Sequence, residues 1–220
     1  MLATPKMPQR IFFDMTNKSL TESQKDAGFL LRWFRVKLYD LDPGNDSPEV
    51  VRAIIEIPKN SVNKYEYDGE LEMFRLDRAL YSPMHYPGDY GFIPGTLADD
   101  GDPLDILVLV DEASFTGCLM EARPVGVLRM IDGKEYDEKI LGIPTRNPRF
   151  DSIHTMDQVF PHVRREIEHF FSIYKELQGA QMKMEGWAGP REARKVINDS
   201  RQAYLESKIK EQHDLQQQQR

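Results

Sequence analysis

From residue 49 to about residue 145 the chain is written in short apolar runs separated by Gly, Pro, Asn and Asp. That texture confines it to a compact arrangement of short strands. The candidates are VVRAIIEI (50–57), NKYEY (63–67), LEMFRL (71–76), LDILVLV (104–110), ARPVGVLRMI (122–131) and DEKILGI (137–143). Strands this short in close succession suggest a small closed barrel. The longest purely aliphatic stretch, from Ile106 to Val110, falls far short of the roughly 20 residues of a membrane-spanning helix.

After the strands the period changes. Val159, Val163, Ile167, Phe170, Phe171, Tyr174 and Leu177 recur at helical spacing and predict one amphipathic helix. Gly186, Gly189 and Pro190 then break the chain, and Pro190 suits the first turn of a second, polar helix over about residues 191–210. The expected organisation is an N-terminal extension (1–48), a barrel domain with helices (49–210) and a disordered Gln-rich tail (211–220). Within the extension a helix is predicted over residues 19–34, behind overlapping capping boxes formed by Ser19 with Glu22 and Thr21 with Gln24. The fold class is α+β, mainly β.

Charge and cysteine usage narrow the function. Twenty-nine basic against 36 acidic residues give a net charge of -7, which opposes a broad electrostatic hold on nucleic acid or anionic lipid. MLATPKMPQRIFFDM lacks the pattern of a secretory leader, and the lone Cys118 reads as a small buried apolar residue, so a cytoplasmic location is expected.

The acid is concentrated. Asp99-Asp100-Gly101-Asp102-Pro103-Leu104-Asp105 brings four carboxylates into seven residues directly before an apolar strand. Pro103 restricts the backbone there, and the run from Leu104 to Val110 carries Asp105 toward the core. Like charges so close repel, and hard divalent cations such as Mg²⁺ are the usual partners of carboxylate oxygen. An EF-hand is excluded, because counting from Asp100 puts Asp105 where Gly is required and Asp111 where a bidentate Glu is expected. The five histidines and one cysteine contain no HExxH or CxxC zinc motif.

Three strands repeat an ionisable face. Period two places Asp137 with Lys139, Lys64 with Glu66, and Glu56 with Ile54 and Arg52. Together with Asp132, Arg78 and Lys175 they suggest a polar cavity for a highly anionic substrate that arrives with metal ions. Phosphoryl chemistry by an activated water fits this mixture best, and no P-loop or activated Ser or Cys is present. Two other functions stay open at this point: a phosphoanhydride hydrolase acting on nucleotides or short polyphosphate, and a catalytically silent barrel that binds a partner.

The ordered set Ile55-Glu56-Ile57-Pro58, Lys64-Tyr65-Glu66, Asp77-Arg78, Tyr86-Pro87-Gly88-Asp89-Tyr90-Gly91, Asp100-Gly101-Asp102-Pro103-Leu104-Asp105, Pro124-Val125-Gly126-Val127-Leu128, Asp132 with Asp137 and Lys139, and Phe170 to Lys175 closely resembles the soluble family I inorganic pyrophosphatases. The resemblance implies a five-stranded OB-like closed barrel flanked by two C-terminal helices, and Mg²⁺-dependent hydrolysis of pyrophosphate. Several ions per site are implied, with Mn²⁺ or Zn²⁺ as substitutes. It also implies Asp100, Asp105 and Asp137 as main metal ligands, Asp132 and Glu56 as ligands of further ions, and Asp102 as general base. Lys64, Arg78, Tyr90, Lys139, Tyr174 and Lys175 are then phosphate donors, supported by Glu66 and Tyr86. A homo-oligomer is expected, a hexamer rather than a dimer, with no nucleic acid or membrane partner. Three departures stand out: Gly133 where some members carry an acid, Asp89 in place of a frequent Asn, which is expected to add a charge near Tyr90, and a slightly short loop over residues 59–63.

Overall fold

All six apolar runs form strands in the structure, a computed structural model that describes residues 37–133 and 135–218. VRAIIEI, rich in β-branched residues, is β1 (Val51–Ile57). It is followed by β2 (Asn63–Asp68), β3 (Met73–Ala79), β4 (Asp89–Phe92), β5 (Asp105–Val108), β6 (Leu119–Asp132) and β7 (Glu135–Pro144). Helix α1 (Pro161–Ile173), strand β8 (Met182–Ala188) and helix α2 (Pro190–Gln218) complete the order. The fold is mixed α+β, with a mostly sheet core and two C-terminal helices.

β1 pairs antiparallel with β4, β4 with β5, and β5 runs parallel to β7. β7 pairs antiparallel with the long β6, whose first residues return to β1 through Ala122 opposite Val51 and Leu119 opposite Ile54. The far end of β6 carries β8, and β2 with β3 forms a separate hairpin.

Apolar side chains separate into two main clusters. Ile57, Tyr86, Tyr90, Leu107, Leu128 and Leu141 pack against Ile167, Phe170 and Phe171 of α1. Val51, Ile55, Ile106, Val127 and Ile140 pack against Ala193, Val196 and Ile197 of α2. Fully burying a side chain such as Phe171 stabilises by roughly 1.5–3 kcal/mol. The same packing sets the end of α1, and hence Tyr174 and Lys175, beside the open ends of the strands.

β4 and β8 were not anticipated. β4 lies within a segment whose Gly88 and Gly91 read as a turn, and β8 is a half-exposed edge strand interrupted by Gly186 at φ 97°. The amphipathic helix is shorter than its periodicity predicts, because Pro161 sets its first turn. Val159 is buried ahead of it, whereas Leu177 falls in a separate 3₁₀ turn, Glu176–Gln178, and is exposed. α2 continues past residue 210 to Gln218, since Gln is a good helix former and nothing in the segment breaks the helix. Cys118 is partly rather than fully buried. The predicted helix over residues 19–34 lies outside the described residues. Residues 37–48, grouped with the extension on sequence, pack with the sheet: Gly95 N–H donates to Tyr39 C=O and Arg52 N–H to Pro43 C=O. Among the described residues no helix is long and apolar enough to cross a membrane.

Candidate active site

One cavity of about 710 Å³ opens at the ends of β1, β5, β6 and β7, and it gathers nearly all the chemistry read from the sequence. Its walls carry Glu56, Asp100, Asp102, Asp105, Asp132 and Asp137 together with Lys64, Lys139 and Lys175. Glu66, Tyr86, Tyr90 and Tyr174 complete the set.

Glu56 reaches the cavity through a bulge. On β1, Ile55 faces Gly91 and Ile57 faces Tyr90, so Glu56 is the extra residue, and such bulges re-aim a side chain. The neighbouring strand can come this close because residue 91 is Gly: a Cβ there would lie 1.9 Å from Ile54 C=O. The Glu56 carboxylate accepts the Tyr67 backbone N–H at 2.7 Å. Burial, with the Asp105 charge adding to it, pushes Glu56 up to about 8.

Asp105 and Lys139 stand opposite each other on the parallel strands β5 and β7. The Lys139 ammonium is 2.5 Å from Asp105 Oδ2 and 2.6 Å from Asp137 Oδ1. Burial works against its charge, but the two carboxylates outweigh burial and hold its pKa above the ordinary lysine value. Asp137 and Lys139 thus share a face, as the period of β7 predicts. Lys175, just past α1, lies 2.5 Å from Asp132 Oδ2 at the end of β6, with its ammonium 5.4 Å from the centre of the Tyr174 ring.

Asp100 and Asp102 stand on the loop before β5. Asp102 N–H donates to Asp100 Oδ1 at 3.0 Å, and the loop is tied down by Ala98 N–H on Asp102 C=O and by Leu104 N–H on Thr96 Oγ1. Burial first, then neighbouring acids, raises both carboxyls above the usual range; for Asp102 those neighbours are Asp105 and Glu66. Burial likewise pushes the Tyr86 and Tyr90 phenols up, so both remain hydrogen-bond donors.

Lys64 contacts Glu66 at 2.5 Å and Asp77 at 3.8 Å. Arg78 lies across the hairpin from Lys64 and pairs with Asp77, outside the residues that line the cavity, and its buried Nε has no hydrogen-bond partner. Asp89 does not add charge beside Tyr90. Strand alternation turns it away, where it is fully buried and accepts the backbone N–H of Lys59 at 2.8 Å and of Ser114 at 3.1 Å. The carboxylates share one cavity, yet among the described residues no three His, Cys, Asp or Glu are gathered as a metal-ligand group.

The cavity also has walls that sequence reasoning missed. Tyr67, Asp68 and Arg75 come from the hairpin, Phe171 from α1, and Lys37 and Tyr39 from the segment ahead of β1. Tyr67 follows Glu66 on β2 and is buried, and the register shift beyond Lys64 places its extra residue, Asp77, on β3. Nothing in the local pattern marks Tyr39.

A family model for inorganic pyrophosphatase matches residues 53–205. An inorganic pyrophosphatase of Geobacillus stearothermophilus is 47% identical over 160 residues, covering 73% of this chain and 97% of the relative. One from Methanosarcina mazei is 49% identical over 160 residues, covering 73% and 95%. The crystal structure of inorganic pyrophosphatase from Thermus thermophilus superposes with a TM-score of 0.75 at 43% identity, over 77% of this chain and 99% of that one.

Proposed function

The chain belongs to the soluble family I inorganic pyrophosphatases, and from that membership we propose how its own side chains divide the work of hydrolysing pyrophosphate to two phosphates. It is an inorganic diphosphatase. The observation that carries the reading is a single cavity in which the acids and cations of the family's ordered motifs meet.

Family members use divalent metal ions, generally Mg²⁺, and the donor set here suits such an ion. The lining carboxylates offer hard oxygen, and Glu56, Asp100 and Asp102 are raised first by burial and then by neighbouring acids, both of which a bound cation would offset. Asp100, Asp105 and Asp137 would hold it, with Asp132 and Glu56 serving further ions and Mn²⁺ or Zn²⁺ as substitutes. When bound, the metal supplies an acidified water and neutralises phosphate charge.

Asp102 is assigned as the general base. It stands at the cavity with a carboxyl made more basic by burial and by its neighbours Asp105 and Glu66, so it can take the proton of the attacking water. Lys139 and Lys175, whose pKa values are raised against burial by neighbouring acidic groups, carry full positive charge, and together with Lys64 they are assigned as N–H donors to phosphate oxygens. Tyr90 and Tyr174 contribute phenol donors, with Tyr86 and Glu66 supporting them. Arg78, opposite Lys64 on the hairpin, is assigned as a further phosphate donor, and its buried Nε has no acceptor.

The ring of pairings from β1 through β4, β5, β7 and β6 back to β1 supports reading the sheet as a five-stranded closed barrel of OB-like type. We assign residues 49–210 as the catalytic domain, with residues 37–48 attached to it. A cytoplasmic homo-oligomer, a hexamer rather than a dimer, fits a compact core that spans nearly the whole length of bacterial relatives. Analytical ultracentrifugation tests the assembly: a dimer or monomer would reject it.

The reaction is tested by phosphate release from pyrophosphate with Mg²⁺ and then with EDTA, in the presence and absence of a nucleoside triphosphate. Release that needs Mg²⁺ and is little affected by the nucleotide is expected. Preferential hydrolysis of the nucleotide would overturn the substrate assignment.

A further inference from the structure

The matched family region begins at residue 53, yet the wall of the cavity begins earlier. A single 3₁₀ turn, Leu38–Asp40, delivers Tyr39 to it. The Tyr39 hydroxyl donates to Tyr67 C=O at 2.5 Å, and its ring meets the Tyr67 and Phe92 rings edge-on, each at 5.0 Å between centres. Leu38 N–H donates to the Tyr67 hydroxyl at 3.3 Å. Tyr67 is therefore gripped at its carbonyl, its ring and its hydroxyl by one short segment. Its remaining backbone group, the N–H, donates to Glu56.

The segment is itself anchored from the other end of the chain. Asp40 accepts the Tyr204 hydroxyl at 2.6 Å and the Lys208 ammonium at 2.9 Å, both from α2. Lys208 lies beyond the matched region, as Asp40 lies ahead of it. A contiguous path runs from α2 through Asp40, Tyr39 and Tyr67 to the Glu56 carboxylate.

We propose that Tyr39 is a positioning residue for Glu56, fixing the Tyr67 backbone that orients the carboxylate, and that the clasp of Asp40 to Tyr204 and Lys208 holds Tyr39 in place. The inference rests on the reading of Glu56 as a ligand for a divalent ion. Groups that orient metal ligands by hydrogen bonds tune metal affinity without touching the metal. Tyr39 therefore affects metal affinity more than the chemistry that follows.

The test uses the full chain and Mg²⁺ itself, titrated calorimetrically into metal-free protein with no pyrophosphate present. Tyr39→Phe removes one hydroxyl and keeps the ring, and it is expected to weaken Mg²⁺ binding by about threefold to tenfold, the scale of one hydrogen bond. Turnover at saturating Mg²⁺ should stay within about twofold on that same scale. Asp40→Asn should move Mg²⁺ affinity in the same direction. In a Glu56→Gln background, Tyr39→Phe should have no further effect, because coupled residues are non-additive. Unchanged Mg²⁺ affinity in Tyr39→Phe, with Glu56→Gln weakened, overturns the inference while leaving the role of Glu56 intact. Additive losses overturn it too, since Tyr39 would then act elsewhere. If Glu56→Gln itself leaves Mg²⁺ affinity unchanged, the reading of Glu56 fails and the inference falls with it.

Discussion

Asp105 and Lys139 face each other across parallel strands with 2.5 Å between carboxylate and ammonium, and the lysine is almost wholly buried. Its second contact, to Asp137, makes it the internal counter-ion of two acids that would otherwise repel at close range.

Lys139→Met should therefore cost about 3 kcal/mol or more in EDTA, because it leaves two close carboxylates unpaired. Mg²⁺ should restore a large part of that loss, since the released acids offer it oxygen. Thermal unfolding with and without Mg²⁺ measures both. A variant as stable as the parent in EDTA would show that Lys139 is not the counter-ion.

Under the proposed roles, Asp102 serves proton transfer and Asp105 ion binding. Asp102→Asn should lower kcat by roughly 10²- to 10⁴-fold, the usual yield of a positioned base, while keeping most of the Mg²⁺ affinity. Asp105→Asn should lose both, because its carboxylate is a proposed ligand of the ion as well as the partner of Lys139. Steady-state kinetics together with Mg²⁺ titration distinguish them, and equal losses of metal affinity in the two variants would reverse the assigned roles.

Much of this site was legible because strands write their faces at period two. Asp137 and Lys139 fall on one side of β7, and the acid-rich turn before β5 announces Asp105, so simple alternation found them. β4 was hidden by its own glycines: Gly91 marks a close crossing of two backbones, and in a single sequence that resembles a turn. Asp89 was misplaced because its neighbour in sequence is Tyr90, whereas in a strand neighbours point to opposite faces. Tyr39 had no local signal at all. Its place at the cavity depends on contacts with residues 28 positions away and, through Asp40, 164 positions away.

Gly91→Ala tests the crossing directly. The added methyl would meet Ile54 C=O at 1.9 Å and the Glu56 backbone nitrogen at 2.9 Å, and backbone cannot yield as a flexible side chain does. A loss of roughly 3 kcal/mol is expected, at the upper end of overpacking costs, with weaker Mg²⁺ binding as the Glu56 bulge shifts. Chemical denaturation and calorimetry report the two effects. Parent-like behaviour in both would mean that the bulge does not depend on this contact.

Glu56 predicts a pH dependence of stability with a definite sign. Below about pH 4.5 it is protonated in folded and unfolded chain alike and contributes no slope. Between about 4.5 and about 8 the folded protein keeps a proton that the unfolded chain releases, so stability falls as pH rises; above that window the loss is complete. Asp100 and Asp102, raised as well, act in the same direction. Lys139 adds no slope here, because its raised pKa makes its stabilising contribution constant below the ordinary lysine value of 10.5. In EDTA the melting temperature should drop across this window, and Glu56→Gln, which mimics the protonated form, should flatten the decline. Mg²⁺ should recover stability most at the alkaline end, where the carboxylate is free to bind it. A melting temperature that rises from pH 5 to pH 8 in EDTA, or a decline undiminished in Glu56→Gln, would contradict burial as the dominant influence on Glu56.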